Sequence, residues 1–132
     1  MEKRILSILV DNTSGVLSRV AGLFSRRGYN IDSITAGVTA DQRYSRMTVV
    51  CEADDQMIQQ VTKQLAKQED VRDVKVLEPD DSVARELMLV KVAVKPEQRQ
   101  GALSIAVIFR AKVVDVSKDS LIMEMTGSQN KL

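Results

Sequence analysis

The chain of 132 residues has no histidine, one cysteine, two prolines and only 3% aromatic residues. Each scarcity removes a class of chemistry. Without imidazole or paired thiolates, zinc-type metal sites and histidine-based triads and dyads are excluded. The single Cys51 falls inside an alternating strand pattern, where it reads as a small core hydrophobe, and such sparing use of cysteine fits a reducing interior. The shortage of aromatics argues against an RNA-recognition sheet, which needs two or three exposed rings on adjacent strands. Nineteen basic against eighteen acidic residues leave a formal charge of +1, so no surplus field favours nucleic acid or an acidic membrane. The apolar run behind Met1-Glu2-Lys3-Arg4 is too short for a secretory signal or a membrane span. The expectation is a cytoplasmic protein with neither nucleic acid nor membrane as partner. What is present, 44% hydrophobic residues, is enough for one ordinary domain or two small ones.

Hydrophobic periodicity divides the first half clearly. Ile5 to Val10 is a nearly unbroken apolar stretch ended by Asp-Asn-Thr-Ser-Gly, the pattern of a buried strand. Val16, Val20, Leu23 and Phe24 then fall at helical spacing, Arg26 and Arg27 close the last turn, and Gly28 supplies a left-handed stop. Ile31 to Thr39 and Ser45 to Glu52 read as a hairpin around Ala40-Asp41-Gln42-Arg43, with Met47, Val49 and Cys51 on one face and Thr48 and Val50 on the other. Asp54 or Asp55 caps a second helix with an inward stripe of Met57, Ile58, Val61 and Leu65, ending at Lys67, and Val71 to Leu77 forms a fourth strand. Strand, helix, strand, strand, helix, strand predicts an α+β fold of ferredoxin-like (βαββαβ) plan, an antiparallel sheet with both helices on one face.

This first unit occupies residues 1–78. A polar stretch beginning Glu78-Pro79-Asp80-Asp81-Ser82 reads as a linker over residues 79–84. Residues 85–132 repeat the pattern in part: a strand over Arg85 to Val94, a helix from Pro96 to about Arg110, and strands over Lys112 to Ser117 and Leu121 to Thr126. A closing helix and strand are expected after Gly127 and do not follow, so the second ferredoxin-like unit reads as incomplete, shortened or natively so. Its sheet should then leave apolar surface for a partner to cover.

The joint Asp11-Asn12-Thr13-Ser14-Gly15-Val16-Leu17 is the candidate site. A helix beginning there presents four amides without intrahelical partners, and its dipole favours an anion. No Glu or Gln stands at the capping-box position to compete. Asn12 offers a carbonyl to an ammonium group and an amide to a carboxylate, while Gly15 lets a ligand approach the backbone. Such a site suits a small zwitterion. The alternative is that Asn12, Thr13 or Ser14 caps the helix and Gly15 merely eases the turn. At the other end of the helix, Gly28 and Tyr29 read as a C-cap and a packing residue, but Asn30 puts a second neutral polar side chain at a strand edge, where a symmetric partner could bring it beside Asn12.

Five separated blocks carry a family resemblance: Asn12 to Val20, Gly22 to Ser33, Ser45 to Thr48, Glu86 to Val92 and Ile108 to Val116. In order and content they resemble the small, regulatory subunit of acetolactate (acetohydroxyacid) synthase, and the likeness extends over residues 2–94 and 108–132. Lys95 to Val107, with Gly101 inside an expected helix, departs from the usual pattern. The resemblance implies an N-terminal ACT domain that dimerises side by side and binds a branched-chain amino acid, typically valine, in the interface. It further implies a large catalytic subunit carrying thiamine diphosphate, magnesium and FAD, which condenses pyruvate with pyruvate or 2-oxobutyrate. The small subunit has no catalytic site of its own, raises that activity and confers feedback inhibition. By position, the effector contacts are Asn12, Gly15, Val16 and Leu17 from one chain and Asn30 and Ile31 from the other.

Other functions on this fold find less support in the residues. An acylphosphatase needs an Arg in its first loop, which here has none. A stand-alone amino-acid sensor or an interaction scaffold without a catalytic partner remains as the alternative.

Overall fold

The apolar run of the first strand becomes the middle of the first sheet. In the computed structural model, which describes residues 2–128 and 132, β1 (Glu2–Asp11) lies between β3 (Tyr44–Ala53) and β4 (Val71–Leu77), both antiparallel to it, with β2 (Ile31–Val38) outside β3. A strand with two neighbours and a covered face needs apolar residues at alternate positions, and Leu6, Ile8 and Val10 are fully buried. β1 and β3 both start and end beyond their apolar runs, because ladder pairing continues to Glu2 opposite Ala53 and Asp11 opposite Tyr44. Backbone pairing at the strand ends leaves no hydrophobic signature, so periodicity understates such strands.

Helices α1 (Val16–Arg26) and α2 (Asp55–Ala66) cover one face of this sheet. Their predicted stripes are buried: Val16, Val20, Leu23 and Phe24 from α1, and Ile58, Val61 and Leu65 from α2, pack with Met47, Val49 and Cys51 of β3. Phe24 meets Tyr29 edge to face, with ring centroids 6.5 Å apart. Asp54, rather than Asp55, caps α2: its carboxylate accepts a 2.8 Å hydrogen bond from the Met57 amide. Gly28 has φ 72°, the left-handed stop expected after α1. Burial pushes the Cys51 thiol pKa up, with a smaller contribution from Asp32, so this residue behaves as core.

The chain divides into two units, Met1–Ser82 and Val83–Leu132. Between the first sheet and the second lies a turn of 3₁₀ helix at Pro79–Asp81, which the polar composition of the linker did not announce. In the second unit β5 (Glu86–Ala93), α3 (Arg99–Ile108), β6 (Lys112–Val116) and β7 (Ser120–Gly127) form a three-stranded antiparallel sheet of order β5-β7-β6 with one helix. This is the order of β1, β3 and β2 in the first unit, so both are built on the ferredoxin-like plan and the second lacks a fourth strand among the described residues. The helix expected from Pro96 is split: Pro96–Gln98 forms a 3₁₀ turn, and α3 begins at Arg99 and carries Gly101 in its first turn. Leu87 and Leu89 on β5, and Ile105, Val107 and Ile108 on α3, are exposed.

Leu6 lies at the centre of the first core, where truncation leaves a cavity. Leu6→Ala should destabilise the first unit by about 2–5 kcal/mol, read from denaturant unfolding; a loss below about 1 kcal/mol would contradict this account of the core.

Candidate functional site

The end of β1 is tied on both sides before the chain turns into α1. On one side the Asn12 amide N–H donates to the Arg43 carbonyl at 2.8 Å. The Asn12 side chain reaches the same hairpin: Nδ2 donates to the Gln42 carbonyl at 3.1 Å and Oδ1 accepts from the Ser45 hydroxyl at 3.1 Å. Ser45 is buried, so this bond satisfies a polar group that would otherwise be stranded in the sheet. On the other side the Asp11 amide donates to the Asp70 carbonyl, and the Asp11 carboxylate takes two bonds from Arg72, at 2.7 and 2.9 Å. Those hydrogen bonds, reinforced by the Arg72 charge and only partly opposed by desolvation, hold the Asp11 carboxyl below its ordinary range.

Anchored in this way, Asn12 does not cap the helix. The N-cap is Gly15, at φ 83°, and no side chain accepts a bond from the first turn. The capping alternative for Asn12, Thr13 or Ser14 is therefore overturned. The Val16 amide reaches the Thr13 carbonyl only at 3.5 Å, and the Leu17 and Ser18 amides meet no acceptor among the described residues. Open donors at the positive end of a helix dipole can receive an anion.

Gly15 is favoured by its backbone, and its Cα faces the tip of Arg19. Its positive φ is one that L side chains rarely adopt, and a Cβ added there would lie 3.0 Å from Nη1 of Arg19. Arg19 reaches back along α1, donating from Nη2 to the Ser14 carbonyl at 3.4 Å and from Nε to Asp70 at 2.6 Å. Sequence reasoning passed over Arg19, Gln42, Ser45, Asp70 and Arg72. Ser45 stands 33 positions from Asn12, and Asp70 stands 51 from Arg19, so no local pattern connects them.

The other site residues differ in what they can offer. The Val16 side chain is buried in the core, which leaves its backbone as the only part able to touch a ligand, whereas Leu17 is 47% exposed. Asn30 is exposed, with Nδ2 near Asp32 Oδ1 at 3.3 Å, and the half-buried Ile31 packs against the core at the start of β2. One chain does not bring the two groups together. Asn12 sits at the Ser45 end of β3, and Ile31 pairs with Cys51 at its far end, six residues and about 20 Å away.

Known proteins match this arrangement along its length. A sequence profile described as the AHAS small subunit-like ACT domain matches residues 6–73, and one described as the small subunit of acetolactate synthase matches residues 85–132. The chain belongs to the acetolactate synthase small-subunit family. It is 49% identical over 131 residues to a probable acetolactate synthase small subunit of Archaeoglobus fulgidus, covering 98% of this chain and 81% of that one. It is 48% identical over 129 residues to an acetolactate synthase small subunit of Mycobacterium bovis, covering 96% and 76%. The crystal structure of an acetolactate synthase small subunit from Thermotoga maritima superposes with a TM-score of 0.92 at 38% identity, over 99% of this chain and 82% of that one. The first unit of this small subunit is thus an ACT domain, and the β1–α1 joint just described belongs to it.

The Asp11–Arg72 pair closes that joint, and its pH dependence has a definite sign. Because the folded-state pKa of Asp11 lies below its unfolded value, the pair's contribution is complete above the ordinary carboxylate range and is lost as pH falls through the lowered value. Asp11→Asn should therefore flatten the fall in urea midpoint between neutral and acid pH. Identical acid profiles for wild type and variant would contradict the assignment.

Proposed function

We propose that this small subunit activates a large catalytic subunit of acetolactate synthase and makes it sensitive to valine, or another branched-chain amino acid, bound where two ACT domains meet. Thiamine diphosphate, magnesium and FAD belong, in this reading, to the large subunit, whose pyruvate condensation is the activity regulated. The observation that carries the proposal is the uncapped first turn of α1, with Asn12 held beside it by Gln42 and Ser45.

A second copy completes the site. β2 is an edge strand, with unpaired backbone groups along one side. If two copies align their β2 edges antiparallel about a twofold axis, Asn30 and Ile31 of the second copy come to the Val38 end of this one. Val38 pairs with Ser45, the residue that holds Asn12. Asn12 then lies two strand spacings from the seam, about 10 Å, which leaves room for a small amino acid between the two asparagines. The Leu17 and Ser18 amides receive its carboxylate, the asparagine carbonyls receive its ammonium, and the exposed apolar surface of Leu17 and Val38 receives its side chain. A pocket of this kind separates aliphatic side chains weakly, since one methylene is worth about 1–3 kcal/mol.

Inhibition then follows from linkage. An effector that prefers the less active state of the complex by about 1–3 kcal/mol shifts activity several-fold to about a hundred-fold.

The test is reconstitution. The small subunit alone should not turn over pyruvate, and adding it to the large subunit should raise acetolactate formation and make it valine-sensitive. Turnover by the isolated chain, or no effect on the large subunit, would refute the proposal. Gly15→Asp sets bulk and a carboxylate against the α1 amides and Arg19. It should weaken valine inhibition tenfold or more while activation stays within about twofold; unchanged valine sensitivity would place the effector elsewhere.

A further inference from the structure

On the helical side of the ACT domain, α1 and α2 flank a groove of about 460 Å³ that the effector site does not use. One wall is formed by Arg26 and Arg27 at the end of α1, and the other by Gln60, Gln64 and Gln68, with Leu23 and Tyr29 also lining it. Tyr29 donates its hydroxyl proton to Gln60 Oε1 at 3.1 Å, which fixes the ring and one amide between the walls.

Two features give this groove a chemical preference. The first is charge. No carboxylate lines it, and among the described residues neither Arg26 nor Arg27 is in an ion pair, whereas Arg4, Arg19, Arg43 and Arg72 each are. One wall of the groove is therefore basic and the other a set of neutral amides, while the whole chain is nearly neutral. The second feature is spacing. Gln60 and Gln64 stand four positions apart on α2, about 6 Å along the helix axis, and Gln68 continues the wall just beyond the helix. An extended peptide repeats its same-side groups about every 6.6 Å. The two helical amides can each both donate to and accept from a peptide backbone, which a free phosphate would not need.

From this we infer that the α1–α2 groove docks an extended, acidic segment of the catalytic large subunit, with the carboxylates paired to Arg26 and Arg27 and the backbone read by the glutamines. Bidentate pairing of guanidinium with carboxylate gives such a contact its directionality. This places assembly on the helical face and effector binding at the α1 N-terminus and β2 edge, so the two should be separable. The inference rests on the reading of this chain as the partner of a large subunit.

The experiment measures binding and activation with the intact large and small subunits, beside calorimetric binding of valine to the small subunit alone. The double reversal Arg26→Glu, Arg27→Glu should weaken assembly with the large subunit tenfold or more. Arg26→Lys, Arg27→Lys should retain most of it, and valine affinity should be unchanged in both. Gln60→Glu, Gln64→Glu alters the opposite wall at near-constant shape and should also weaken assembly, which keeps the test valid if reversal at the end of α1 disturbs folding. Assembly should fall with rising salt, and more steeply for wild type than for the reversed variant. Unchanged assembly in both the arginine reversal and the glutamine variant would overturn the inference. So would binding of inorganic phosphate that depends on Arg26 and Arg27 while assembly does not, which would make the groove a small-anion site. Failure of the wild-type small subunit to bind the large subunit at all would instead overturn the functional reading on which the inference rests.

Discussion

The regulatory half of this molecule depends on one constraint: β1 is locked on both sides up to its last residue, and the chain must then become a helix within four residues. Asp11 is tied to Arg72 and Asp70, Asn12 to Gln42, Arg43 and Ser45, and Thr13, Ser14 and a left-handed Gly15 carry the chain into α1. An asparagine used to stitch two strands together cannot also cap the helix. The open amides of α1 are thus a consequence of how the sheet is closed, and they are held in place by ties to the β2–β3 hairpin and to the start of β4. A recognition site supported in this way is preorganised, because little has to be ordered on binding.

The same ties connect the first turns of α1 to the start of β4. Arg19 joins the first turns of α1 to Asp70, whose carbonyl takes the Asp11 amide, and Arg72 returns to Asp11. Four charged side chains from the β1 end, α1 and the start of β4 therefore share one small region. The opposite end of α1 carries two arginines without carboxylate partners among the described residues, in a groove whose other wall is a ladder of amides. One helix links the two regions, its positive end at the proposed effector site and its basic end at the groove.

Much of this was legible in the residues alone. The stripe Val16, Val20, Leu23 and Phe24 located α1, the alternation of Met47, Val49 and Cys51 located the covered face of β3, and Asp11 to Gly15 marked the joint between strand and helix, because hydrophobic period and turn chemistry are local properties. Long-range side-chain contacts were not legible. No pattern links Asn12 to Ser45 or Arg19 to Asp70. The reach of β1 back to Glu2 was hidden for a related reason: a ladder needs only backbone groups, and charged side chains on an exposed strand end look like a terminus. The split of the α3 region into a 3₁₀ turn and a short helix follows from Pro96 and Gly101, which mark punctuation without stating which kind of helix results.

The most direct measurement is a crystal structure of the small subunit grown with valine. The account predicts density at the β2 seam of a twofold dimer, with the valine carboxylate within hydrogen-bonding distance of the Leu17 and Ser18 amides and its ammonium group near Asn12 and Asn30 of the second copy. A dimer formed through another surface, or valine bound away from an unaltered α1 N-terminus, would contradict it.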